Sequence, residues 1–172
     1  IIILLAFNIS SREIGETEIT TEDGIEVFQN DKYYLLKKNV KILSDNFILN
    51  ADNVKINFDK NLYDITELNA KGNVSFNSSE FKMKGNGETL RLEVNVEKLK
   101  VKGIGSKLKT EDILMFSDGF IQINNITGDF FLEGPNSKLT NENIFIEAKK
   151  IDGSFTNNTT GREITFLEVF DE

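Results

Sequence analysis

The sequence predicts an all-β fold: a sandwich, a barrel or a jelly roll. Three observations carry that prediction. Past residue 20 the apolar residues recur with a period of two, turn formers punctuate the alternating runs, and no stretch sustains the i, i+3, i+4, i+7 spacing of an amphipathic helix over three turns. In order along the chain, Val54-Lys-Ile56-Asn-Phe58, Val74-Ser-Phe76 and Phe81-Lys-Met83 alternate apolar with polar. Leu90-Arg-Leu92-Glu-Val94-Asn-Val96, Leu99-Lys-Val101 and Ile121-Gln-Ile123 do the same. Side chains two apart on a strand share a face, so each run reads as a half-buried strand with one apolar and one polar side. Between them sit Asp59-Lys-Asn61, Asn77-Ser-Ser79, Gly85-Asn-Gly87, Asn124-Asn125 and Asn157-Asn158. Asn and Gly tolerate the left-handed backbone of tight turns, so these positions read as hairpin connections.

The chain also repeats itself. Leu68-Asn-Ala70-Lys71-Gly72 recurs as Leu99-Lys-Val101-Lys102-Gly103 and as Phe130-Phe-Leu132-Glu133-Gly134, the glycines 31 residues apart each time. Lys37-Lys38-Asn39-Val40 is an earlier copy in which Asn stands for Gly. A second mark follows each copy: Phe47-Ile-Leu49-Asn-Ala51, Phe81-Lys-Met83-Lys-Gly85, Ile113-Leu-Met115-Phe-Ser117 and Ile144-Phe-Ile146-Glu-Ala148. Each ends on a small residue. A period of this length holds about four strands with modest turns, and units whose apolar faces are covered by their neighbours form a quasi-one-dimensional stack. The reading is one continuous β-structure of about four units of roughly 31–33 residues.

Composition narrows the chemistry. The 172 residues are about one domain's worth of chain. Cysteine and histidine are both absent, which removes disulfides, thiolate nucleophiles, cysteine-ligated metals, the commonest general base and the commonest transition-metal ligand. A net charge of −8 makes a poor nucleic-acid binder, and 39% hydrophobic residues with 14 phenylalanines is too apolar for a disordered acidic chain. The 28 carboxylates could in principle supply acid/base pairs, but Asp52, Glu93, Asp129 and Glu147 fall in the polar phase of a strand or in a turn, which reads as a solvated face. Asp45-Asn46 and Asn50-Ala51-Asp52-Asn53 read as turns, since neither the EF-hand spacing nor a calcium-binding glycine repeat is present. No catalytic, metal or cofactor set emerges, and the chain is expected not to be an enzyme.

The first residues, Ile1-Ile2-Ile3-Leu4-Leu5-Ala6-Phe7, are followed at once by polar Asn8, Ser10, Ser11, Arg12 and Glu13. Seven apolar residues fit the tail of a secretory signal or the end of an N-terminal membrane anchor, with a buried first strand as the alternative. Residues 1–20 are therefore expected to be leader or anchor remnant plus linker, and residues 21–172 a single domain.

Several of these residues carry a family resemblance. Ile25-Glu-Val27 leads to Lys38-Asn39-Val40-Lys-Ile42, then to Asn50-Ala51-Asp52-Asn53-Val54-Lys-Ile56 and Asn69-Ala70-Lys71-Gly72-Asn73-Val74. That succession resembles the LptA/OstA-like family of the lipopolysaccharide transport bridge, over about residues 20–155. Residues 76–86 are also similar to a stretch of LptC, the membrane-anchored relative. The resemblance implies an open, slightly twisted antiparallel β-jelly roll whose apolar inner face is a trough for lipid acyl chains. On the repeat's register, Phe47, Leu49, Ile56, Phe58, Phe76, Phe81, Met83, Leu90 and Leu92 point inward, with Leu99, Val101, Met115, Ile123, Phe130, Leu132, Ile144 and Ile146. For a generic sandwich this set is plain core packing; with the resemblance it is the lipid-binding set. The resemblance further implies a periplasmic location, either free or anchored in the inner membrane, and edge-to-edge pairing with other jelly-roll components or with further copies head to tail. The candidate edges are Ile25–Phe28, Tyr33–Leu36 and Ile164–Phe170.

Overall fold

The alternating runs form thirteen strands in the computed structural model, which describes residues 13–159 and 161–171. They are β1 (Glu18–Thr20), β2 (Ile25–Phe28), β3 (Tyr33–Leu43), β4 (Phe47–Phe58), β5 (Ile65–Ser78), β6 (Met83–Glu93), β7 (Lys98–Lys102), β8 (Ser106–Lys109), β9 (Leu114–Ser117), β10 (Phe120–Asn124), β11 (Asp129–Thr140), β12 (Phe145–Asn158) and β13 (Gly161–Phe170). All pairing between them is antiparallel.

The long strands bend midway, and pairing splits at the bend. β6 pairs with β7 through Thr89–Glu93 but with β8 through Lys84–Asn86. β11 likewise pairs with β10 through its first half and with β9 through its second. Two wings result. The first runs from β2 through β7 and β10 to β13; the second runs from β1 through β8 and β9 to residues 145–148 of β12. Their apolar faces form one core, which makes an antiparallel jelly roll.

Each repeat goes out and back in the second wing, then out and back in the first. The Gly72, Gly103 and Gly134 marks lie at the bends, with register shifts at Lys71/Val74 and Glu133/Ser137. There the backbone turns left-handed, with φ of 79° at Gly72 and 133° at Gly134. At the earliest copy Lys38 and Asn39 adopt φ of 64° and 51°, so Asn does stand in for Gly. A carboxylate from β4 clasps the Gly72 bend, and one from the β9–β10 connection clasps the Gly134 bend. Asn73 Nδ2 donates to both Asp52 oxygens at 3.0 and 3.1 Å, and Asn136 Nδ2 donates to Asp118 at 2.7 Å. The Gly105 N–H also donates to Asp118, at 2.8 Å, and these bonds hold the Asp118 carboxyl below the usual carboxylate range.

Several expectations need correction. Gly85-Asn-Gly87 is no turn but lies inside β6; a Cβ at Gly85 would stand 2.7 Å from Cε1 of Phe76 and 2.5 Å from the Lys107 carbonyl. The glycine leaves room for a ring lying over the strand. Asn50–Asn53 is a bulge within β4, not a turn. Leu90–Val96 is strand only to Glu93; Val94–Val96 is a 3₁₀ turn. Phe81 and Lys82 belong to the β5–β6 turn, Lys82 with φ of 48°, although Phe81 still faces the core and Lys82 still faces water. Tyr33–Leu36 is no edge, being flanked by β2 and β4. β1 falls inside the stretch read as leader and linker, and pairs with residues 41–43 of β3. The apolar residues 1–7 lie outside the described residues.

Candidate functional site

Strict alternation and unbroken register carry one side chain from each strand of the first wing into a single row. It runs Ile25, Leu36, Val54, Ala70, Leu90, Val101, Ile121, Leu132, Ile151, Val169. Every member is apolar. Ten strands about 4.8 Å apart make a track of about 43 Å along the stack. In the second wing the matching row is Ile19, Ile42, Leu49, Phe76, Gly85, Leu108, Met115, Leu139, Ile146. The two rows belong to the shared core.

The inward set expected from the sequence falls on these rows or beside them. All of its members are buried except Phe47, Phe81, Ile144 and Ile146, which are partly buried and packed against the core. The structure adds residues that were not assigned there: Leu36, Val54, Ala70, Ile121 and Ile151 in the first wing, Leu108 and Leu139 in the second. Period two was the available signal for most of them; Ala70 gave little, because a small residue marks either face equally well. Between the rows the space is filled. Val101, Met115, Ile121 and Leu132 are each 0% exposed. Two cavities among the described residues, of about 170 and 490 Å³, lie at the strand-end turns and are bordered largely by polar residues. A guest in the interior must therefore part the wings.

The turns at the strand ends form the mouth of the jelly roll, opposite the bends. Here lies a residue that sequence reasoning missed, Arg162, the second residue of β13. Its Nη2 donates to the Phe81 carbonyl at 2.8 Å and to Asn125 Oδ1 at 2.6 Å, and its backbone N–H donates to Asp112 Oδ2 at 2.9 Å. The guanidinium lies 4.5 Å from the Phe155 ring centroid. Burial pulls its pKa down, against the opposing pull of Glu111 and Asp112. A contact spanning 81 residues of sequence leaves no local signature.

The chemistry on offer is apolar. Among the described residues no charged side chain is fully buried in the interior, and its exposed margins include Ile25, Val27 and Val169 at the two ends of the stack. No helix among the described residues is long and apolar enough to cross a membrane.

Comparison with known proteins follows the same lines. Residues 19–115 match the family described as LptA/(LptD N-terminal domain) LPS transport protein. Among solved structures, the fold is similar to LptH from Pseudomonas aeruginosa, the LptA-homologous periplasmic component of its lipopolysaccharide transport device. The TM-score is 0.54 at 13% identity, over 91% of this chain and 95% of that one. At that identity the likeness speaks for the fold alone. No curated protein matches the sequence.

Proposed function

Because the chain belongs to the LptA/(LptD N-terminal domain) LPS transport protein family, we infer that it carries lipopolysaccharide by its acyl chains along the inner apolar rows. The carrying observation is the unbroken row from Ile25 to Val169, apolar at every step and half-exposed at both ends. Burying a methylene contributes about 0.8 kcal/mol, so one twelve-carbon chain could contribute up to roughly 9 kcal/mol before the cost of parting the wings. With a net charge of −8 the protein repels the lipid's phosphates overall, so the acyl chains dominate binding. The work is shielding and transfer, with no covalent step. It takes place in the periplasm, where β2 and β13 offer backbone donors and acceptors to strands of neighbouring jelly rolls, and a continuous slide results. A second reading, a structural β-repeat with a dry core, draws on the filled interior.

A displacement assay separates the two. The purified protein should bind a fluorescent acyl-chain probe at micromolar concentration, and lipopolysaccharide should compete for it. Met83→Asp should abolish probe binding, because a charge placed among apolar side chains has no partner. Lys82→Asp should leave it intact, since Lys82 faces water. Circular dichroism must show both variants folded. Absence of probe binding by the parent protein would favour the dry-core reading.

A further inference from the structure

Arg162 crosses the mouth. It belongs to the first wing through β13, which pairs with β12. Its Nη2 reaches the second wing by donating to the Phe81 carbonyl in the β5–β6 turn at 2.8 Å, and its backbone N–H separately donates to Asp112 in the β8–β9 turn at 2.9 Å. A third partner, Asn125 at 2.6 Å, anchors it to the β10–β11 turn of its own wing. The side chain thus spans the gap between the sheets, over Phe155, whose ring is 2% exposed.

The fastening is incomplete. Nη1 of Arg162 is buried and has no hydrogen-bond partner. An N–H taken from water without compensation offsets part of what the other bonds contribute, and burial already disfavours the charge. Beside it lies a cavity of about 170 Å³ bordered by Glu80, Lys82, Glu111 and Asn157, into which the side chain can swing and regain water. A half-buried cation with an unpartnered donor beside open space has a short route back to water.

We propose that Arg162 is a strap that fastens the two wings across the mouth near the last strand, and that its release lets an acyl chain pass sideways into the interior there. The second half rests on the acyl-carrying reading above; the first does not. Inner rows closed to solvent along their middle require some such opening, and the strap places it at the C-terminal end of the stack.

The test uses the whole chain with Arg162→Ala, Arg162→Lys and the surface control Arg91→Ala, whose guanidinium pairs with Glu67 on the outer face. Hydrogen exchange reports the strap without any lipid. The amides of Phe81 and Lys82, bonded to Ser78 Oγ and to the Ser79 carbonyl, should exchange about tenfold faster in Arg162→Ala. Arg162→Lys should show a smaller rise, because an ammonium can still donate to the same acceptors but loses the planar guanidinium's contact with the Phe155 ring. Arg91→Ala should show none. Stopped-flow association of a fluorescent dodecanoic acid should accelerate about fivefold in Arg162→Ala, as expected if opening gates access. Unchanged exchange in both Arg162 variants overturns the strap. Faster exchange with an unchanged association rate overturns side access through it. Faster exchange with no probe binding by any variant, the parent included, upholds the strap and sinks the acyl-carrying reading instead.

Discussion

The middle and the ends of the first wing's inner row are made of the same residue types in the same register, yet they differ sharply in exposure. Leu90, Val101, Ile121, Leu132 and Ile151 are 0–1% exposed, whereas Ile25 is 51% and Val169 42% exposed. The reason is geometric. A strand in a stack is covered by a neighbour on each side and by the opposite wing, while a terminal strand lacks one neighbour. Apolar periodicity therefore has two consequences in one molecule: rigidity in the middle, and an uncovered apolar margin beside unpaired backbone at the ends. The ends are where another jelly roll, or a lipid sliding between two of them, gains most by arriving.

The largest effect that would sharpen this contrast is on stability. Leu132→Ala should cost about 2–5 kcal/mol, the range for a buried leucine whose cavity relaxes only partly. Ile25→Ala and Val169→Ala should each cost under about 1 kcal/mol, because half of each side chain already meets water. Urea midpoints at low protein concentration measure all three. Comparable losses at the ends and in the middle would break the comparison, and would mean that another surface covers the ends in solution.

A smaller effect is expected where the second wing's row contains a glycine. Gly85→Ala should cost about 1–3 kcal/mol, since its methyl group must displace the Phe76 ring and approach the Lys107 carbonyl. Combining it with Phe76→Leu should cost less than the sum of the two single changes, because the smaller side chain frees the space. Strict additivity in thermal or urea unfolding would show that ring and glycine are not coupled.

The smallest effect belongs to the bends, outside both rows. Asp118 is held below its ordinary value of 3.8 by the Asn136 amide and the Gly105 N–H. A carboxylate with a lowered folded pKa contributes stability that is fully present above the ordinary carboxylate range, and loses it as pH falls through the lowered folded value. The urea midpoint should therefore fall between pH 5 and the lowered value of Asp118, and fall less steeply in Asp118→Asn. Parallel pH profiles for parent and variant would show that the clasp contributes nothing.

Much of this organisation was legible in the sequence, and the parts that were not have a common cause. Period two together with the repeat's register placed Leu49, Ile56, Leu90, Val101, Met115 and Leu132 inward, because side chains two apart on a strand share a face. The 31-residue spacing of Gly72, Gly103 and Gly134 also marked where the backbone breaks from regular pairing. Composition narrowed the chemistry, since a chain without histidine or cysteine lacks the commonest general base and any thiolate, while the carrier reading came only with the family resemblance. What local chemistry left open was what each break becomes. Gly85-Asn-Gly87 has the residues of a hairpin and lies within a strand, because Phe76 from the neighbouring strand occupies the space that a Cβ would need. Val94 and Val96 continue the alternation of β6, yet the chain leaves the sheet at Glu93 and turns through a 3₁₀ turn before pairing again as β7. Arg162 reads as one more polar residue in an alternating strand until the wings close and bring Phe81, Asp112 and Asn125 around it. Period two is a property of one strand and is written in its own residues; a close approach or a bond across the mouth belongs to pairs of residues far apart in sequence, and exists only once the sheet has folded over.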